Sequence, residues 1–105
     1  MKSVYKYPFV DEYGYEVFSC SISLPRGAEI LSAIWQKKQL HYSEMNGNAV
    51  VYALVDTEEK HEDTYTFRVV GTGHDASHVS GYTFVGTFTI SQGDYVFHVF
   101  YKKEV

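Results

Sequence analysis

The chain has 105 residues, nine Lys and Arg against thirteen Asp and Glu, a formal net charge of −4 and a single cysteine. That length holds one domain (residues 1–105) with one modest core. The acidic balance excludes a general nucleic-acid binder, which needs a basic stripe, and the lone Cys20 excludes an intrachain disulfide and fits a reducing compartment.

Helical periodicity is nearly absent, and short β-branched and aromatic runs alternate with turn signals. Ser3 to Phe9 reads as a first strand, with Pro8 near its end, and "DEYGY" as a turn around Gly14. Tyr15 to Ser23 is a second strand, with Val17, Ser19, Ser21 and Ser23 on one face and Phe18, Cys20 and Ile22 on the other. In "LPRGA", Pro25 suits the turn position that wants a fixed φ, and Gly27 the position that tolerates a positive one. Ala28 to Gln36 is the third strand, although its "GAEILSAI" competes as a short helix. Gln39 to Glu44 and Asn48 to Asp56 are expected to form a hairpin across Asn46-Gly47. "TEEKHED" is a charged loop. Thr64 to Val70 enters a glycine segment, Tyr82 to Ile90 follows, "SQGD" turns, and Tyr95 to Lys102 closes the domain. The last strand, "YVFHVFY", is apolar on both faces and is expected in the middle of a sheet. The predicted fold is all-β: a small antiparallel sandwich or barrel of seven to eight strands.

The segment "RVVGTGH" is the most distinctive. Gly71-Thr72-Gly73 removes two side chains beside a strand end, where backbone N–H groups can converge into an anion nest. Thr72 adds a hydroxyl, His74 a ring, and Arg68 a guanidinium on the same strand face as Thr66 and Val70, which suits phosphate. The plain alternative is a turn or bulge with Arg68 on the surface. His98, between Phe97 and Val99, reads either as a core histidine with one satisfied hydrogen bond or as a residue sharing a pocket-facing side with Phe100. Trp35-Gln36 sets an aromatic face beside an amide that can read a base edge, or else is core. Tyr5-Lys6-Tyr7 interleaves a cation with aromatics and reads as a nucleotide clamp or as an edge strand. Ten Tyr, seven Phe and one Trp supply stacking surfaces as readily as a β core.

Catalytic signals are thin. There is no nucleophile elbow, P-loop or paired-cysteine metal site. His74 and His78 are four apart but in a loop, which does not fix a metal geometry. His74 and His98 would serve as general acid and base of a phosphodiesterase only if the fold brought them together. Neither cofactor nor metal is expected. No apolar run approaches the roughly 18 residues of a membrane span, and no signal peptide is evident, so a soluble cytoplasmic protein is expected.

Taken in order, "VYKYPF", "LPRGAEIL", "WQ", "YALVD", "RVVGTGH", "FVGTF" and "VFHVF" resemble a widespread family of small phage and prophage proteins. "VGTGH", "GTF" and "FHVF" are the more specific pieces. The chain departs from shorter members in its "SEMNGN" and "HDASHVSGYT" segments and its "YKKEV" tail. The resemblance implies a viral sponge that binds a nucleotide immune signal, such as the cyclic dinucleotide 3′3′-cGAMP, and so silences CBASS- or Thoeris-type defence. It implies binding without cleavage, with the glycine loop and its aromatic neighbours as the nucleotide pocket at a subunit interface; the small core, the excess of aromatics and the strand edges needing protection point separately to a homo-oligomer. An enzyme that degrades such signals, or a protein–protein inhibitor or adaptor using its aromatic surface, stays open beside it.

Overall fold

The computed structural model describes residues 1–11, 18–37, 47–90 and 93–104. Seven strands form in chain order: β1 (Lys2–Pro8), β2 (Ser19–Pro25), β3 (Glu29–Lys37), β4 (Gly47–Asp56), β5 (Glu62–Gly71), β6 (Thr83–Ile90) and β7 (Tyr95–Lys103). They build two antiparallel sheets, one ordered β1-β4-β3 and the other β2-β5-β7-β6. The result is a sandwich of three strands on four. β7 lies inside its sheet, between β5 and β6, as its two apolar faces predict.

Alternation decides which residues meet between the sheets. Leu24, Phe67, Phe88, Ile90 and Val99 of the four-stranded sheet join Ala33, Ala49 and Val51 of the other in one buried cluster. The size pairing is complementary. The three-stranded sheet offers mostly alanine and valine, and the four-stranded sheet fills the remaining space with aromatic rings. Phe9, fully buried just beyond β1, lies 5.3 Å from the Phe67 ring. Trp35 stacks on Phe88 at 5.9 Å and ties the sheets together. The serines of β2 face outward opposite Arg68, Thr66 and Thr64, while Cys20, Ile22 and Leu24 point inward.

The third strand forms as expected, and the helical alternative for "GAEILSAI" falls away: the segment is strand, bulged between Ile30 and Ser32 where it pairs with β4. One turn expectation needs correction. In the turn after β2, Ala28 N–H donates to the Pro25 carbonyl, so Pro25 is the first residue of the turn and Arg26 the second; Gly27 has φ 85° as expected. Over Val50 to Leu54, β4 has β3 on one edge and β1 on the other. The hairpin expected across Asn46-Gly47 involves residues 39–44, which lie outside the described ones, as do Gly14 and its neighbours in the expected "DEYGY" turn.

Candidate functional site

The glycine segment ends β5 in a tight turn. His74 N–H donates to the Gly71 carbonyl at 3.0 Å, and Gly73, third of the four residues, has φ 84°. A turn of this kind requires the positive φ at its third position, which glycine adopts without a steric penalty. Gly71 has a separate reason to be glycine: a Cβ there would sit 2.7 Å from Nδ1 of His74. The imidazole is folded back over the bare backbone. Two of the N–H groups expected in an anion nest are engaged internally, His74 with Gly71 and Thr72 with the Val96 carbonyl at 3.0 Å. The turn therefore offers its side chains and its clearance to a ligand more than converging amides.

The side chains fall on both sides of the sheet. By alternation Arg68, Val70, His98, Phe100 and Thr87 lie on the outer face of the four-stranded sheet, with Val70 opposite His98 and Arg68 opposite Phe100. His98 is no core residue. It is half-buried on that face, with Nε2 at 2.7 Å from Thr72 Oγ1 and Nδ1 at 2.9 Å from Thr87 Oγ1. A hydroxyl can donate or accept, so both ring nitrogens are satisfied in either tautomer. The arrangement pins the ring and joins the glycine turn to β6 and β7.

Arg68 meets a residue that sequence reading had not placed beside it. The loop between β5 and β6 contains a short 3-10 turn, Ser77–Val79, whose Val79 is buried. The loop returns Tyr82 to the sheet, where its hydroxyl accepts from Arg68 Nε at 3.1 Å and its ring lies 5.9 Å from the guanidinium carbon. No carboxylate pairs with Arg68 among the described residues. Its terminal nitrogens thus keep unused donors, in a side chain already oriented by Tyr82. Beside it Phe84 and Phe100 meet edge to face at 5.6 Å, and Phe84 is more than half exposed.

A cavity of about 320 Å³ opens where β5 ends and β7 begins, lined by Gly71, Thr72, His74, Asp94, Tyr95, Val96 and Phe97. This is the small end of the range for ligand pockets, roughly 300–1,000 Å³. Gly71 points by alternation to the inner side, opposite Phe97, so His74 and His98 approach the sheet from different sides. That separation disfavours the two as a joint acid–base pair.

The remaining predicted residues sit elsewhere. Lys6 and Gln36 come together on the outer face of the three-stranded sheet, with Nζ donating to Oε1 at 3.0 Å across β4. Tyr5 shares β1 with Lys6 but points to the other side, opposite Ala53. Trp35 packs against the core. The candidates thus divide between the two sheets: Thr72 and His74 line the cavity, His98 is tied to it through Thr72, and Arg68 lies further along the outer face of the same sheet. Cys20 is packed against the core, and burial pushes its thiol up to about 11, which removes it as a nucleophile near neutral pH. No three His, Cys, Asp or Glu side chains among the described residues converge as metal ligands. No helix among them is long and apolar enough to cross a membrane.

No curated protein and no solved structure matches the chain. One family model does, that of a domain of unknown function, DUF7352, over residues 1–105, and the chain belongs to that family.

Proposed function

We propose that this protein binds a cyclic nucleotide signal, such as a cyclic dinucleotide, and holds it without cleaving it, as a phage anti-defence sponge in the host cytoplasm. The observation that carries the reading is Arg68: oriented by Tyr82, free of any carboxylate partner among the described residues, and beside the exposed Phe84 and half-buried Phe100 rings. A guanidinium next to aromatic faces suits a phosphate joined to a flat base. His98 continues the same face, and its threonine partners fix it as a contact rather than leave it to shuttle protons. A sponge gains from ground-state binding and has no use for transition-state stabilisation.

The protein acts as a homo-oligomer in this reading. Val4, Leu31 and Ile34 are each more than two-fifths exposed on the three-stranded sheet, whose edge strand β1 pairs with β4 alone among the described residues.

A thermal-shift screen with 3′3′-cGAMP, cyclic trinucleotides and cyclic ADP-ribose isomers tests the function. A ligand at 100 times its dissociation constant adds about 2.7 kcal/mol, which raises Tm by about 10–20 °C in a domain of this size. Heating the complex and chromatographing the supernatant must return the ligand intact. Cleaved ligand would instead mark a phosphodiesterase, and a screen with no shift would leave the protein–protein adaptor reading.

A further inference from the structure

We propose that the end cavity is a subsite that reads guanine, with Asp94 as the discriminating residue. The inference rests on the nucleotide reading and adds the base that the site selects.

Three exposed groups in the cavity wall are open to a ligand. Asp94 is in no ion pair or hydrogen bond among the described residues, although His74 lines the same cavity. The Tyr95 ring is half exposed and takes part in none of the ring contacts that occupy Phe97, Phe88 and Tyr101. The His74 imidazole rests on Gly71, and no hydrogen bond to its ring nitrogens forms among the described residues. An acceptor, a stacking surface and a further polar ring thus surround one small volume.

Charge decides which part of a ligand can enter. An ionised carboxylate is acceptor-only and repels phosphate. The phosphates of a bound nucleotide therefore belong with Arg68 on the outer face, and the cavity takes the part of the ligand that carries donors. Guanine presents N1–H and an N2 amino hydrogen side by side, which matches the two oxygens of a carboxylate as a bidentate pair. Adenine presents one amino donor beside the bare N1 lone pair, which would face the carboxylate. Tyr95 supplies the ring on which the base stacks, and His74, in the same lining, donates to the guanine carbonyl O6.

The test compares the wild-type protein with Asp94→Asn and Tyr95→Ala, measuring dissociation constants by calorimetry for cyclic di-GMP, 3′3′-cGAMP and cyclic di-AMP. Asn suits the turn before β7 as well as Asp does, so the fold is retained. The wild type is expected to bind the two guanine-containing ligands at least about 10-fold more tightly than cyclic di-AMP. Asp94→Asn is expected to abolish that ratio by weakening guanine binding while leaving cyclic di-AMP unchanged. Tyr95→Ala is expected to weaken the two guanine-containing ligands. A wild type that binds all three with equal affinity or prefers cyclic di-AMP, or an Asp94→Asn protein that keeps the wild-type ratio, overturns the inference and leaves nucleotide binding standing. A wild type that binds none of the three overturns the inference together with the reading beneath it.

Discussion

The two glycines of the β5 turn should respond to alanine in opposite ways. Gly73→Ala adds a Cβ that meets no atom within 4 Å, yet the residue has φ 84°. An L-residue held in that region costs about 1–2 kcal/mol, which lowers Tm by about 4–8 °C per kcal/mol in a domain of this size. Gly71→Ala involves no positive φ, but its Cβ would lie 2.7 Å from Nδ1 and 2.8 Å from Cε1 of His74. The obstruction is the far end of one exposed side chain, so the ring swings away and the backbone stays in place. The stability change should be within about 0.5 kcal/mol, while the imidazole leaves its place on the cavity wall. Gly71→Ala should therefore weaken ligand binding with little loss of stability, and Gly73→Ala should lose stability first. Gly73→Asn should recover part of the loss, because Asn tolerates the left-handed region better than Ala. Urea unfolding followed by circular dichroism, with a calorimetric titration of 3′3′-cGAMP on the same samples, measures both effects. A Gly71→Ala protein less stable than Gly73→Ala would refute the assignment of backbone strain to Gly73 and of clearance to Gly71.

Other expectations are independent of that turn. Arg68→Ala should weaken 3′3′-cGAMP binding by about 10- to 100-fold, the equivalent of a charge-assisted contact of roughly 1.5–3 kcal/mol, with a much smaller effect on urea unfolding; unchanged affinity would remove Arg68 from the site. Phe67→Ala, at a fully buried ring between Phe9 and Tyr101, should cost about 3–5 kcal/mol, read as a large fall in the urea midpoint. Cys20, with its thiol raised to about 11 by burial, should react slowly with iodoacetamide at pH 8 in the native state and quickly in urea. Asp75 is held below its usual 3.8 by the Ser77 hydroxyl and, secondarily, the Ser77 amide. Its folded-state pKa is depressed, so its contribution to stability is present above pH 3.8 and disappears as the pH falls through the lower folded value. Carbon-detected NMR titration of the carboxyl should show that downward displacement in the wild type and a smaller one in Ser77→Ala, whose backbone amide still donates.

The sequence by itself determined the class of fold and the facing of most strands. Alternation along Ser19 to Ser23 put the serines on one face and Cys20 and Ile22 on the other, because successive strand residues must point to opposite faces. The apolar run from Tyr95 to Tyr101 marked a strand covered on both edges, and Gly27 and Gly73 marked turns needing positive φ. Those are local signals, set by the chain's own sterics and by one strand's relation to water. Which strands become neighbours is not local. β4 chose β1 and β3 as partners, and Lys6 and Gln36 met across β4 instead of joining Arg68. Trp35 became core because the sheet opposite offered Phe88 to stack on. His98 acquired Thr72 and Thr87, and Arg68 acquired Tyr82, through register across three strands and the return of an eleven-residue loop over residues 72–82. Contacts between residues 11 to 30 positions apart depend on how two hydrophobic faces pack, and that packing is a property of the whole chain, invisible in any one segment of it.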